Sequence, residues 1–300
     1  MKQLSTAAHY TFISFLLSTG LLAKEPIQRI RIKQSAETSK LNAQQPPRIT
    51  IWVHGTSMSV GKLFNKCPEG LNPVSCLPAS SHIRKISEVL VKKDPSRFKF
   101  DLFYSFGWSG KLSFNEREKQ AKILYTSIKD LAQKVKTQTK VEPIICIITH
   151  SHGGNLALNL SKAKDESDKD FMIHELIMLA CPVQRVTAPM MKDPMFKRIY
   201  HFYSQIDMLQ IVDPQGGYKQ VRDIKKQNKE KVPFFSERRF KPQDNLAQGY
   251  VRYKRRALAH IDFILPHVIR NIPTMVAELD RTYTEKKDKH DCLYCLKISN

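Results

Sequence analysis

Residues 144–156 constrain this chain more than any other stretch, because an apolar run there stops at a polar turn and a helix-compatible segment follows. The run 144–148 is short and rich in β-branched side chains, which favours a buried strand. Ser151 lies at the turn between this strand and the helix. A sharp turn at that place exposes a serine hydroxyl, as a nucleophile requires. We therefore predict that Ser151 is a catalytic nucleophile.

The residues beside Ser151 complete a nucleophile elbow. Gly153 lets the backbone pass close to the strand, and Gly154 follows it. The backbone N–H of His152 lies at the helix start, where it can stabilise charge on a substrate oxygen. Thr149 stands where the G-x-S-x-G pattern has its first glycine, and threonine is small but β-branched. A serine–glycine turn without chemistry is the alternative, which the flanking strand and helix disfavour.

A second predicted strand, 48–53, ends at His54, Gly55 and Thr56. The loop after such a strand can supply another backbone N–H to an oxyanion hole, here that of Thr56. Alone, the His-Gly dipeptide indicates no more than a strand followed by a glycine turn. Together with the elbow it favours a catalytic interpretation.

Apolar segments of strand and helix type alternate along the chain. This alternation predicts an α/β fold, with a mainly parallel sheet and helices on both faces. Functional residues then lie at the carboxyl ends of the strands, just where His54, Ser151 and Asp207 occur. The predicted strands are 48–53, 98–106, 144–148, 175–181 and 198–203, and the predicted helices are 82–93, a long one from 115, one after 151 and a terminal one through 268–272.

From about residue 48 to about residue 275, the chain resembles the α/β-hydrolase superfamily, in particular its lipase and esterase branch. The resemblance rests on the elbow, on the strand ending at His54-Gly55, on the segment 203–207 and on His260. It implies a triad in the chain order serine, acid, histidine, which Ser151, Asp207 and His260 satisfy. It also implies a carboxylic ester, including a lipid ester, as substrate, and no cofactor or metal.

Two of these assignments have rivals in the sequence. Asp213 is the alternative acid, but Asp207 follows a strand end within a few residues, as the superfamily's acid often does. His267 is the alternative base, but it follows Pro266 and lies inside a predicted helix, whereas His260 precedes that helix.

Other functions remain open at this stage. An acyltransferase, a thioesterase or a peptidase could use the same residues. A non-catalytic binding protein could keep the fold and use its basic surface instead, since a fold does not determine a function.

The ends of the chain differ in composition from its centre. Residues 1–23 combine a basic start with a short apolar core, which predicts a signal peptide and export to the periplasm or medium. An uncleaved membrane anchor is the alternative. We assign residues 24–47 to a polar linker, 48–283 to the hydrolase-like domain, and 284–300 to a charged tail.

The formal net charge of +21 favours anionic partners. No P-loop, zinc finger or RNA-binding signature accompanies it in the sequence, so nucleic acid rests on charge alone. Residues 208–259 carry a basic tract with interleaved aromatic residues between the proposed acid and base. We predict that they form an inserted cap over the site, and that an anionic membrane surface is a partner. The oligomeric state is left open.

Six cysteines complete the sequence features. Export and a proline-rich loop favour a disulfide between Cys67 and Cys76. Cys292 and Cys295 form a C-x-x-C in the tail, which without a second ligand pair is weak as a metal site.

Overall fold

The computed structural model describes residues 46–56, 67–165, 171–211, 213, 215, 239–253, 256–285 and 294–298. The predicted signal peptide at 1–23, most of the linker at 24–47 and the basic residues between 216 and 238 lie outside these ranges, as does Cys292. Within them, no helix is both long enough and apolar enough to span a membrane.

A single sheet of mainly parallel strands organises the domain, in the order β2-β3-β1-β4-β5-β6-β7-β8, with β9 also paired to β7. The pairings from β3 through β7 are parallel, whereas β2 and β8 pair antiparallel at the edges. The strands are β1 Arg48–Val53, β2 Gly70–Pro73, β3 Phe103–Gly107, β4 Ile144–His150, β5 Glu175–Leu179, β6 Ile199–Tyr203, β7 Leu246–Tyr253, β8 Arg256–Ala257 and β9 Tyr294–Ile298.

Helices cover both faces of the sheet, as the alternating sequence pattern predicts. Successive side chains of a strand point to opposite faces, so Trp52 packs into one core layer, while Ile51 and Val53 pack into the other. The first layer includes α1, α6 and α7, and the second includes α2, α3 and α4. The helices are α1 His82–Lys93, α2 Phe114–Thr139, α3 His152–Leu158, α4 Leu160–Ala163, α5 Met208–Ile211, α6 Pro266–Ile269 and α7 Ile272–Glu285.

The long helix α2 has clear signals at both of its ends. The Ser113 side chain caps the start by accepting a hydrogen bond from the N–H of Glu116, at 3.3 Å. Lys140 ends the helix in the left-handed conformation, with φ of 61°. Between these ends an apolar stripe that includes Leu124 and Ile128 is fully buried. Such burial stabilises the fold by about 1.5–3 kcal/mol for each side chain of this size.

Four segments differ from the sequence-based predictions. The strand predicted over 98–106 begins only at Phe103, after a 3₁₀ turn over Phe100–Leu102. Part of the loop predicted over 57–80 forms the edge strand β2. Residues of β7 lie in the sheet, so they are not part of an inserted cap, and β9 lies in the predicted tail.

The predicted disulfide between Cys67 and Cys76 is wrong. Both cysteines are free, and the thiol of Cys67 is 2.7 Å from the hydroxyl of Ser105 on β3. The antiparallel pairing of β2 with β3 explains the difference, because it orders this loop without a covalent link. Cys146 and Cys181 are buried, as small core residues of their type often are.

Candidate active site

Ser151 has the strained backbone of a nucleophile elbow. Its φ of 54° and ψ of −134° are rare for a residue that carries a side chain, and it separates β4 from α3. The elbow is tight on both sides. A Cβ on Gly153 would lie 2.5 Å from the carbonyl oxygen of Val53, and one on Gly154 would lie 2.5 Å from Sγ of Cys181. Glycine is therefore required at both positions to let the helix approach the strands.

Thr149 occupies the pattern's first glycine position without a clash. It is fully buried in β4, and its hydroxyl donates to the carbonyl oxygen of Ile177 on the neighbouring strand, at 3.4 Å. A buried hydroxyl with a partner avoids most of its desolvation cost. The sheet therefore accommodates threonine where the pattern has glycine.

The acid and the base chosen from the sequence are in direct contact. Nδ1 of His260 donates to Oδ2 of Asp207 over 2.8 Å. Asp207 is fully buried, and its other oxygen accepts from the N–H of Gln210 at 3.1 Å. His260 starts a 3₁₀ turn, His260–Ile264, where the Asp262 carboxylate accepts from the N–H of Ala259.

His150, the last residue of β4, connects the elbow to this pair. Its Nε2 is 3.1 Å from the carbonyl oxygen of His260, and the two rings are 4.8 Å apart. Burial, helped by the nearby His260, holds the pKa of His150 well below its usual range, so the ring is neutral. Because a carbonyl only accepts, Nε2 carries the proton and donates it. His260 is therefore held against both Asp207 and the residue next to Ser151.

The loop after β1 lies against the elbow from the other side. A Cβ on Gly55 would be 2.7 Å from Cβ of Ser151, so this loop and the Ser151 side chain are neighbours. His54 stacks on Trp108 with ring centroids 5.6 Å apart. Its Nδ1 donates to the Gly55 oxygen at 2.7 Å, and its Nε2 accepts from the N–H of Trp108 at 3.3 Å. Burial lowers the pKa of His54 to about 4, which agrees with this neutral tautomer. Thr56 follows directly.

Asp213, the rival acid, contacts a different histidine. Its carboxylate is 3.5 Å from Nε2 of His152 and accepts a 2.6 Å hydrogen bond from the amide of Gln184. Burial disfavours its charged form. The hydrogen bonds that it accepts, above all the one from His152, nevertheless hold the pKa of Asp213 below its usual value. Burial lowers the pKa of His152, so neutral His152 donates to the carboxylate. Asp213 thus anchors the side chain whose own N–H begins α3.

Arg117 on α2 extends this buried polar network. It is fully buried, and its Nη2 donates to the side-chain oxygens of Gln184 at 3.1 Å and Gln215 at 2.7 Å. Its Nε and Nη1 have no hydrogen-bond acceptor among the described residues. Burial lowers the pKa of Arg117 to about 10, which still leaves it charged at neutral pH. This network fixes α2 and two loops to the elbow.

Part of this arrangement could not be predicted from the sequence. His150 was not among the predicted site residues, although a histidine that ends a buried strand needs a polar partner. No local pattern links Gln184 and Gln215 to Arg117, because these contacts join residues far apart in the chain. His267, the rival base, packs its ring 4.5 Å from that of Tyr253. Among the described residues, no cluster of His, Cys, Asp and Glu could hold a metal ion.

The sheet order and the elbow that follows β4 define an α/β-hydrolase-like fold. The profile of a family described as a PGAP1-like alpha/beta domain matches residues 79–225, just under half of the chain. No curated protein sequence matches the chain.

Solved structures with some similarity include proteins from three bacteria. One is phospholipase PlaB from Legionella pneumophila, with 18% identity and a TM-score of 0.30, matched over 45% of this chain and 25% of PlaB. The chain therefore spans about a quarter of that protein. TT1662 from Thermus thermophilus has 10% identity and a TM-score of 0.39, over 79% of this chain and 90% of that one. The lin2722 product from Listeria innocua has 10% identity and a TM-score of 0.35, over 84% of this chain and 99% of that one.

Proposed function

We propose that this protein is a serine hydrolase that cleaves carboxylic esters, with Ser151 as nucleophile, His260 as general base and Asp207 as the acid that orients it. The 2.8 Å hydrogen bond between His260 and Asp207 carries the proposal. A buried carboxylate on Nδ1 leaves the Nε2 lone pair free to accept a proton, which is the tautomer that a catalytic base needs.

The first half of the reaction forms an acyl-enzyme. As Oγ of Ser151 attacks the ester carbonyl carbon, its proton passes to Nε2 of His260, and Asp207 stabilises the resulting imidazolium. The carbonyl oxygen becomes an oxyanion, for which the backbone N–H groups of His152 and Thr56 are the donors in our proposal. One such donor is typically worth about 2.7–4 kcal/mol. The intermediate then collapses, and the alcohol leaves with the proton from His260.

The second half repeats this chemistry with water. His260 takes a proton from the water molecule, whose oxygen attacks the acyl carbon, and the acid is released as the proton returns to Ser151. No metal or cofactor takes part in these steps. An acceptor alcohol in place of water would give acyl transfer by the same route.

We further propose a lipid ester as the substrate class. The resemblance to lipases and esterases supports this choice, and the match to a PGAP1-like alpha/beta domain is consistent with it. Export by the amino-terminal segment 1–23 would bring the enzyme to lipid outside the cytoplasm.

The test compares Ser151→Ala with wild type on a short p-nitrophenyl ester. We expect kcat/KM to fall at least about 10⁴-fold, since the residues of a triad act as a unit. Asp207→Asn should fall by about 10⁴-fold, because it favours the wrong tautomer of His260. Ser127→Ala, a half-buried serine on α2, is the matched control and should keep full activity.

A fluorophosphonate probe gives an independent readout of the nucleophile. Wild type should be labelled, and Ser151→Ala should not. Labelling of the Ser151→Ala variant, or ester turnover within a few fold of wild type, would refute the assignment.

A further inference from the structure

Apolar side chains are exposed on both sides of the buried acid. Ile206 is 51% exposed, Met208 41% and Leu209 51%, whereas Asp207 between them is fully buried. Only two other large apolar side chains in the described part of the chain are comparably exposed, Ile123 and Met172. The exposed apolar surface is therefore concentrated on one four-residue segment, which we name the acid loop (Ile206, Met208 and Leu209 are its apolar residues).

The acid loop lies at the edge of the sheet where the candidate active site is. It follows β6 closely, and α5, which begins at Met208, contacts the 3₁₀ turn that starts with His260. The hydrogen bond between Asp207 and His260 fixes the loop in this place. Apolar groups held in water beside a functional site usually mark a surface that meets a protein or a membrane.

Two exposed basic side chains contact the elements that flank the acid loop, namely β6 and the 3₁₀ turn that begins at His260. Arg239 is exposed and hydrogen-bonds the side chain of Tyr203, the last residue of β6. Arg256 keeps 75% of its side chain exposed, four residues before His260, while it donates to Asp262. The net charge of +21 has the same sign. Positive charge around an exposed apolar segment is complementary to anionic lipid headgroups above an acyl layer.

We propose that the acid loop inserts its apolar side chains into an anionic lipid bilayer, with Arg239 and Arg256 on the headgroups. Docking in this way brings the proposed active site to the membrane surface. The inference deepens the lipid-ester function, but it concerns binding and can be measured without turnover. If the acid loop instead bound a protein, it would not bind lipid vesicles, and the same experiment would detect this.

The experiment sediments the full chain with vesicles of phosphatidylcholine alone, or of phosphatidylcholine mixed with phosphatidylglycerol, at low and at high salt. All proteins carry Ser151→Ala, so that no lipid is hydrolysed. We expect binding to the mixed vesicles that weakens as salt rises, because salt screens the arginines. The triple variant Ile206→Ser/Met208→Ser/Leu209→Ser should bind more than about tenfold more weakly.

The double variant Ile123→Ser/Met172→Ser is the matched control, since it removes exposed apolar side chains elsewhere. It should bind within about twofold of the parent. If the triple variant does not fold, Leu209→Ser alone should weaken binding about threefold. Equal binding by the triple variant and the control, or no binding to mixed vesicles by the parent, would overturn the proposal.

If the vesicle result is negative while ester turnover still depends on Ser151, only the docking inference fails. If vesicle binding follows the expected pattern but the fluorophosphonate probe does not label Ser151, only the proposed function fails.

Discussion

Gly153→Ala tests whether the close approach of α3 to β1 maintains the proposed active site. The added methyl group would lie 2.5 Å from the carbonyl oxygen of Val53 and 2.7 Å from that of His54. Both neighbours are backbone atoms of a buried strand end, so neither can rotate away. To reach an ordinary contact of 3.4 Å, the helix must withdraw by about 0.9 Å.

The magnitude follows from two opposing effects. Overpacking against rigid backbone costs about 3 kcal/mol at the upper end of its usual range. Alanine in place of glycine within a helix returns about 1 kcal/mol. The net loss is about 2 kcal/mol, which in a domain of this size lowers Tm by about 4–8 °C. Because Ser151 and His152 would move with the helix by nearly 1 Å, kcat/KM should fall by about 10²-fold.

Gly70→Ala is the matched control for this experiment. Gly70 has φ of +83°, but a Cβ there meets nothing within 4 Å. Its substitution should cost about 1–2 kcal/mol through backbone strain and leave kcat/KM unchanged. Thermal melts and ester turnover of both variants separate the two effects. A Gly153→Ala protein with the Tm and kcat/KM of wild type would refute the reasoning.

Two further predictions concern histidines. Burial lowers the pKa of His54 to about 4, so between that pH and about 6.5 the unfolded chain binds a proton that the folded chain does not. The contribution of His54 to the free energy of unfolding is thus full above about pH 6.5 and falls by about 3 kcal/mol towards pH 4. Urea unfolding across this range should show the loss. In His54→Gln the free energy of unfolding should change less steeply with pH. His150→Gln keeps a donor for the carbonyl oxygen of His260 and should retain kcat within about threefold, whereas His150→Leu leaves that carbonyl unpaired and should lower kcat about tenfold with little change in KM. If His54→Gln leaves the pH dependence of the free energy of unfolding unchanged, or if the two His150 variants have equal kcat, these expectations are contradicted.

The elbow could be predicted from the sequence because its determinants are local. A β-branched strand, a serine and two glycines lie within a few residues, and each has a direct structural consequence. The choice of Asp207 over Asp213 was also accessible, because only Asp207 follows a strand end closely, and the structure pairs it with His260.

The missed strand β7 shows why the rest could not be predicted. Gln248 and Gly249 interrupt its apolar pattern. The structure satisfies this strand polar group through a non-adjacent residue, since the Gln248 side chain both accepts from the N–H of Phe240 and donates to its carbonyl oxygen, each at 2.9 Å. Arg117 is a similar case, because its partners come from other parts of the chain. Patterns read from adjacent residues do not contain such contacts.

The strained backbone of Ser151 also has a consequence for folding if this residue is the proposed nucleophile. Its φ of 54° is disfavoured for an isolated serine, and only the packing of α3 against β1 and β5 maintains it. Those strands come from distant parts of the sequence, and parallel pairings of this kind are intrinsically slow to form. In a partly folded chain Ser151 would therefore have an ordinary backbone, and the conformation that the proposed nucleophile requires would arise only once α3 packs against these strands.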